Sequence, residues 1–137
     1  MNNVLIDTNV ILDYVLLRDG FCDIARELLE RLIISKSKIW LTASTITDIY
    51  YISKKDLKDG AAARQIIAKL LNTFQIADVN RGDCLNALDL EIDDYEDALV
   101  AVCAQKVKAQ YIVTRNTKHF EGSPVKAISP EEILKML

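Results

Sequence analysis

Short apolar runs alternate with stretches of helical periodicity along most of the chain. The run near 3–6 reads as a buried strand and is followed by a helix near 9–17. Ile24, Leu28, Leu29 and Leu32 recur at helical spacing and place a second helix near 21–35. Lys38-Ile39-Trp40-Leu41-Thr42 reads as a strand over 38–42, with a helix near 44–55 behind it. Asp59-Gly60 marks a turn, and 62–74 is helical, with Ile66, Ile67, Leu70 and Leu71 on its apolar side. The reading continues with a strand at 75–79, helices at 80–90 and 94–108, a strand at 111–114 and a short strand at 125–128. Ser129-Pro130-Glu131-Glu132 joins a capping serine, a proline at the first helical position and a glutamate at the third, so a last helix is expected through Leu137. Strands alternating with helices predict an α/β fold: a central, mostly parallel sheet flanked by helices.

Composition narrows this only a little. The chain has 137 residues, half of them hydrophobic, which suits one domain over 1–137 with one core. The apolar stretches are too short and too often broken by charge to span a bilayer. Met1-Asn2-Asn3 lacks the basic and apolar regions of a secretory signal, so a cytoplasmic location without membrane attachment is expected. The three cysteines, Cys22, Cys84 and Cys103, have no zinc-site spacing and read as buried, reduced thiols. The net charge of −3 neither points to nor excludes a nucleic-acid partner, because phosphate affinity depends on local Lys and Arg.

Four polar positions stand at comparable places in this alternation. Asp7 follows the first strand, at the end where open α/β sheets place ligands. The turn after that strand has no glycine to cradle a phosphate, and its fixed negative charge suits a cation. Asp7 or Asn9 also suits a helix cap. Asp48 lies in the helix after the second strand, on the same face as Ser44, which is itself a candidate cap. In Asp93-Asp94-Tyr95-Glu96-Asp97, either Asp93 or Asp94 reads as a cap. Asp97 keeps company with the small Ala98, Ala101 and Ala104, which implies close packing and a cleft edge rather than bulk water. Asn116 follows the strand at 111–114. Two carboxylates ~5 Å apart repel by roughly 3 kcal/mol at an effective dielectric near 20. A group of them therefore calls for protons or a hard cation such as Mg²⁺ or Mn²⁺, which takes oxygen ligands. His119, in Lys118-His119-Phe120, reads as covering a loop or touching substrate rather than as a metal ligand.

Taken together, Leu5-Ile6-Asp7-Thr8-Asn9, Ser44 to Asp48, Asp94-Tyr95-Glu96-Asp97-Ala98, Thr114-Arg115-Asn116 with Lys118 to Phe120, and Ile128-Ser129-Pro130-Glu131-Glu132 resemble a PIN domain, most closely the VapC-like toxins of toxin–antitoxin pairs. Each motif is weak alone, and their order and spacing carry the likeness. The resemblance implies a PIN-like three-layer sandwich and an endoribonuclease using Mg²⁺ or Mn²⁺ in an acidic pocket. On it, Asp7 and Asp97 fall on the strongest metal positions. Asp48 stands where relatives usually have glutamate, and Asn116, where many have aspartate, offers an amide oxygen without charge. Asp7, Asp48, Asp97 and Asn116 are thus the candidate catalytic set, with Asp7, Asp97 and Asn116 as metal ligands. Thr8, Asn9, Ser44, Thr114 and Glu96 are supporting residues, and Glu96 could restore charge although helical geometry turns it about 100° from Asp97. RNA, a cognate antitoxin and a second copy of the chain are the implied partners.

Arg115 and Lys118 flank Asn116 and are the candidate phosphate contacts; Lys54, Lys55 and Lys58 form a further basic stretch, and Arg18 follows the first helix. A catalytically weak PIN-like module that binds RNA or a protein is the alternative, and Asn116 supports it. A receiver-type phosphoacceptor is disfavoured, because this chain has no lysine at the end of a late strand in the expected setting; Lys126 lies inside one instead. Four glycines without G-x-G-x-x-G argue against a dinucleotide enzyme.

Overall fold

The computed structural model describes residues 3–137; Met1 and Asn2, which entered the reading of the N-terminus, lie outside the described residues. The elements run β1 (Asn3–Ile6), α1 (Thr8–Val15), α2 (Cys22–Ile34), β2 (Lys38–Thr42), α3 (Ala43–Leu57), α4 (Gly60–Thr73) and β3 (Gln75–Ala77). They continue with α5 (Arg81–Leu88), α6 (Tyr95–Lys106), β4 (Tyr111–Val113), a 3-10 turn (Thr117–Phe120), β5 (Ala127–Ile128) and α7 (Pro130–Leu134). The five strands lie in the order β3-β2-β1-β4-β5, and every pairing is parallel.

That order places the site. The chain steps outward from β1 to β2 to β3, then returns to the other side of β1 with β4 and β5. Right-handed crossovers running in opposite directions put their helices on opposite faces of the sheet. The burial pattern agrees. Val4 and Ile6 of β1 join a core with residues of α1, α2, α3, α4 and α7. Leu5, between them, joins a second core built by α5 and α6. Alternate residues of one strand serve opposite faces, which is why Val4, Leu5 and Ile6 of β1 are all apolar and buried. The result is the three-layer arrangement, and its topological switch point lies between β1 and β4.

Several boundaries differ from the sequence reading for identifiable local reasons. Leu17, Lys36, Lys58 and Lys108 have φ between 53° and 59°, left-handed values that end α1, α2, α3 and α6. Asp59 is a helix cap, accepting from the amides of Ala61 and Ala62 at 3.0 and 3.2 Å, so Asp59-Gly60 opens α4. Thr42 rather than Ser44 caps α3, accepting from the Thr45 amide at 3.1 Å, because the strand runs straight into the helix with no loop. Ser129 and Pro130 start the last helix as read, but it ends at Leu134. Cys22 and Cys103 are buried, while Cys84 is only half-buried; all three are free. Among the described residues no helix is long and apolar enough to cross a membrane.

Candidate active site

Asp7 leaves the end of β1 at the switch point, its amide donating to the Val113 carbonyl of β4 at 2.9 Å. Crevices outside the carboxyl ends of parallel strands at such a point are where open α/β sheets bind ligands. Asp7 also caps α1: one carboxylate oxygen accepts from the Thr8 amide at 2.9 Å. The other accepts from the Thr114 hydroxyl at 2.8 Å across 107 residues of sequence. The Asn9 amide nitrogen reaches the same Asp7 oxygen at 3.5 Å and the Thr114 hydroxyl at 3.4 Å. Asp7 and Thr114 are both buried. Burial raises the Asp7 pKa, and repulsion from Asp94 adds to it, against the opposing Thr114, Thr8 and His119.

The first turn of α6 brings the rest of the charge. Asp94 caps this helix, accepting from the Asp97 amide at 2.9 Å, so the choice between Asp93 and Asp94 falls on Asp94. Asp97 is pushed up to about 6 by burial and by the nearby Asp7 and Asp94 carboxylates, against the pull of His119. The His119 ring nitrogen Nδ1 stands 3.6 Å from the Asp97 carboxylate. Glu96 is pushed up to about 8, first by a hydrogen bond with the Asp48 side chain, then by burial and by repulsion from Asp48, Asp94 and Asp7. Glu96 thus feels the charges of Asp48, Asp94 and Asp7, Asp97 those of Asp7 and Asp94, and Asp7 that of Asp94. Beside them opens a cleft of about 370 Å³ lined by Asp93, Asp94, Asp97, Lys118, His119 and others.

The supporting residues divide. Thr8 meets the Thr45 hydroxyl at 3.0 Å, Thr45 meets Thr42 at 2.9 Å, and Thr42 meets Ser44 at 2.9 Å. This hydroxyl chain locks the start of α1 to the start of α3, and hence Asp7 to the helix that carries Asp48. Thr42 and Thr45, both buried, were not singled out from the sequence; the run Thr42-Ala43-Ser44-Thr45, which spans the end of the strand and the start of the helix, is the signal that marks them. Asn116 is exposed and joins the site through its backbone, its amide donating to the Thr114 hydroxyl at 3.1 Å. Lys118 is exposed on the cleft rim, and Lys54, Lys55 and Lys58 are exposed in and just past the last turn of α3.

Arg115 has a different partner from the phosphate expected. Its Nε donates to Asp13 at 2.6 Å and its Nη2 at 3.2 Å, and its guanidinium lies 4.0 Å from the centre of the Phe21 ring. The buried Asp13 carboxylate, which went unremarked in the sequence, requires a cation and takes this one, with Arg18 adding a longer contact at 3.5 Å.

The donors gathered here suit a hard divalent cation: they are oxygens, negatively charged, and mutually repelling. As they stand, no three His, Cys, Asp or Glu side chains among the described residues form a group that could hold a metal ion. Glu96 and Asp48 are turned to each other, and Asp97 to His119. The chemistry fits, and closing around an ion asks for side-chain rearrangement.

Residues 3–118 match the PIN domain, and the chain belongs to that family. No curated protein sequence matches it. Among solved structures, VapBC2 from Rickettsia felis, bound to a DNA fragment from its promoter, is 19% identical, with a TM-score of 0.72 over 92% of this chain and 97% of the other. FitAB bound to the IR36 DNA fragment is 21% identical, with a TM-score of 0.69 over 93% and 94%. VapC20 from Mycobacterium tuberculosis, described as a toxin that cleaves the sarcin-ricin loop, is 16% identical, with a TM-score of 0.63 over 80% and 86%. At these identities the likeness is one of fold.

Proposed function

We propose that this protein is a metal-dependent endoribonuclease, the toxin of a toxin–antitoxin pair acting in the cytoplasm. The observation that carries the reading is the convergence of Asp7, Asp48, Asp94, Glu96 and Asp97 beside the switch point, with Asp7, Glu96 and Asp97 all holding protons more tightly than isolated carboxyls do. Carboxylates in that condition are a poor structural arrangement and a good cation receptor. Membership of the PIN family and the fold shared with VapC20 support RNA as substrate. The likeness to FitAB and VapBC2 supports an antitoxin partner, and a homodimer is part of the same reading.

In this reading Asp7 and Asp97 hold Mg²⁺ or Mn²⁺ with the Asn116 amide oxygen, and Asp48 and Glu96 add charge around them. Held there, such an ion would supply Lewis acidity toward a phosphate and toward water. The protein's own residues do the rest. Thr114 and the Thr8 amide fix the two oxygens of Asp7, Thr8 and Ser44 brace the helix starts through Thr42 and Thr45, and Lys118 receives a phosphate at the rim.

The test is cleavage of a mixed pool of structured RNAs in Mn²⁺ by the protein and by Asp7→Asn. Metal-dependent cleavage lost in the variant supports the reading. Equal cleavage by both refutes Asp7 as its centre. No cleavage by either, with no Mn²⁺ binding by calorimetry, replaces the nuclease with a PIN-fold module that binds RNA or protein. The Asp48–Glu96 contact favours that second reading, because it occupies two carboxyls with each other.

A further inference from the structure

Asp13 takes no part in the carboxylate cluster. It lies on α1, one helical turn beyond Asn9 and on the same face, with its side chain 2% exposed. A buried ion pair contributes little to stability compared with an apolar pair of similar size. Its value lies in what it orients. Its partner Arg115 is gripped on two sides, by the carboxylate fork at 2.6 and 3.2 Å and by the Phe21 ring at 4.0 Å. The planar guanidinium matches a carboxylate in a single geometry, so the grip fixes direction as well as distance.

Arg115 is the residue between Thr114 and Asn116. Its amide donates to the Asn9 side-chain oxygen at 3.4 Å, while the Asn116 amide donates to the Thr114 hydroxyl at 3.1 Å. The turn after β4 therefore has two anchors on α1. Asp7 holds it from within through Thr114, and the Asn9–Asp13 face holds it from outside through Arg115. We propose that Asp13 is a positioning residue of the site: through Arg115 it keeps the Thr114–Asn116 turn in register with Asp7, so that the Thr114 hydroxyl stays aimed at the carboxylate and Asn116 stays beside it. The effect on catalysis rests on the nuclease reading; the tether itself does not.

The experiment compares Asp13→Asn, Arg115→Gln and the double variant with the unaltered protein. Amide hydrogen exchange is followed by NMR at Arg115 and Asn116, with the Asp7 amide, bonded to Val113, as reference. RNA cleavage in Mn²⁺ is measured alongside. Each single variant should speed exchange at Arg115 and Asn116 at least tenfold and leave the reference unchanged. Each should lower kcat at least tenfold with KM within twofold, and the double should match the worse single within twofold, because both changes break one link. Unchanged exchange in the variants overturns the tether. So do additive losses in the double, or a raised KM with kcat intact, which would make Arg115 a phosphate contact. Should Asp13→Asn lose its fold by circular dichroism, Arg115→Gln, at a partly exposed side chain, carries the test. If the unaltered protein cleaves no RNA but exchange responds as expected, the nuclease reading fails and the tether stands.

Discussion

Asp97→Asn should make the metal-free protein more stable at pH 8 while weakening its hold on divalent metal. The Asp97 carboxyl rises from an ordinary 3.8 to about 6 because burial, Asp7 and Asp94 oppose its charge. At ~1.4 kcal/mol per tenfold change in proton affinity, the ionised form costs the fold about 3 kcal/mol. The side chain is 19% exposed, and relaxation with solvent screening reduces this to about half, ~1.5 kcal/mol. The 3.6 Å contact with His119 is lost, but His119 is 61% exposed and returns only a few tenths of a kcal/mol (~0.3). The Asp94 cap is kept, because it uses the backbone amide at position 97.

The sign follows from linkage. The folded state binds the Asp97 proton more tightly than the unfolded chain, so this group's penalty is absent below 3.8, grows as pH rises through about 6, and is constant above. Thermal melts in EDTA should therefore coincide for variant and unaltered protein below pH 4. At pH 8 the variant should melt about 5 °C higher, taking roughly 4 °C per kcal/mol for a domain of this size. In millimolar Mn²⁺ the order should reverse. A variant that melts lower than the unaltered protein at pH 8 in EDTA refutes the argument that these carboxylates repel across a common site.

Three other expectations follow from the same contacts. Without metal, the unaltered protein should lose stability as pH rises from 5 to 8.5, since Glu96 and Asp97 release protons at about 8 and about 6, and Mn²⁺ should flatten that slope in urea melts. Thr114→Val removes the buried hydroxyl that serves Asp7, Asn9 and the Asn116 amide; a loss of ~1–3 kcal/mol in urea unfolding with weakened Mn²⁺ binding is expected, and unchanged binding would count against Thr114 as the group that aims Asp7. Asp83→Ala removes the carboxylate that accepts from the Asn80 amide at 3.0 Å and from Lys106 at 2.6 Å, leaving Lys106 only the Asp78 carbonyl, so about 1–2 kcal/mol should go at pH 7. Because the Lys106 hydrogen bond holds the Asp83 carboxyl below its ordinary value, that difference should fade as pH falls below 3.8.

The alternation of apolar runs and helical periods is local information, and local information was enough for the α/β class, the parallel sheet and nearly every element. Asp7, Asp48, Asp97 and Asn116 could be singled out because each follows a strand or sits in the first turns of a helix, where sequence signals are strongest. Pairing across the molecule was not legible. Arg115 and Asp13 are 102 residues apart, and nothing near either one predicts that a buried carboxylate on α1 will claim the arginine. Glu96 looked misaligned because helical geometry turns it away from Asp97; the tertiary structure brings the start of α3 to that other face, where Asp48 meets it. Sequence determined which residues carry charge and which segments bury their apolar faces. Only the packing of α1, α3 and α6 around the switch point decided which charges face one another, because Coulomb energy and hydrogen bonding depend on distances that the order of residues does not contain.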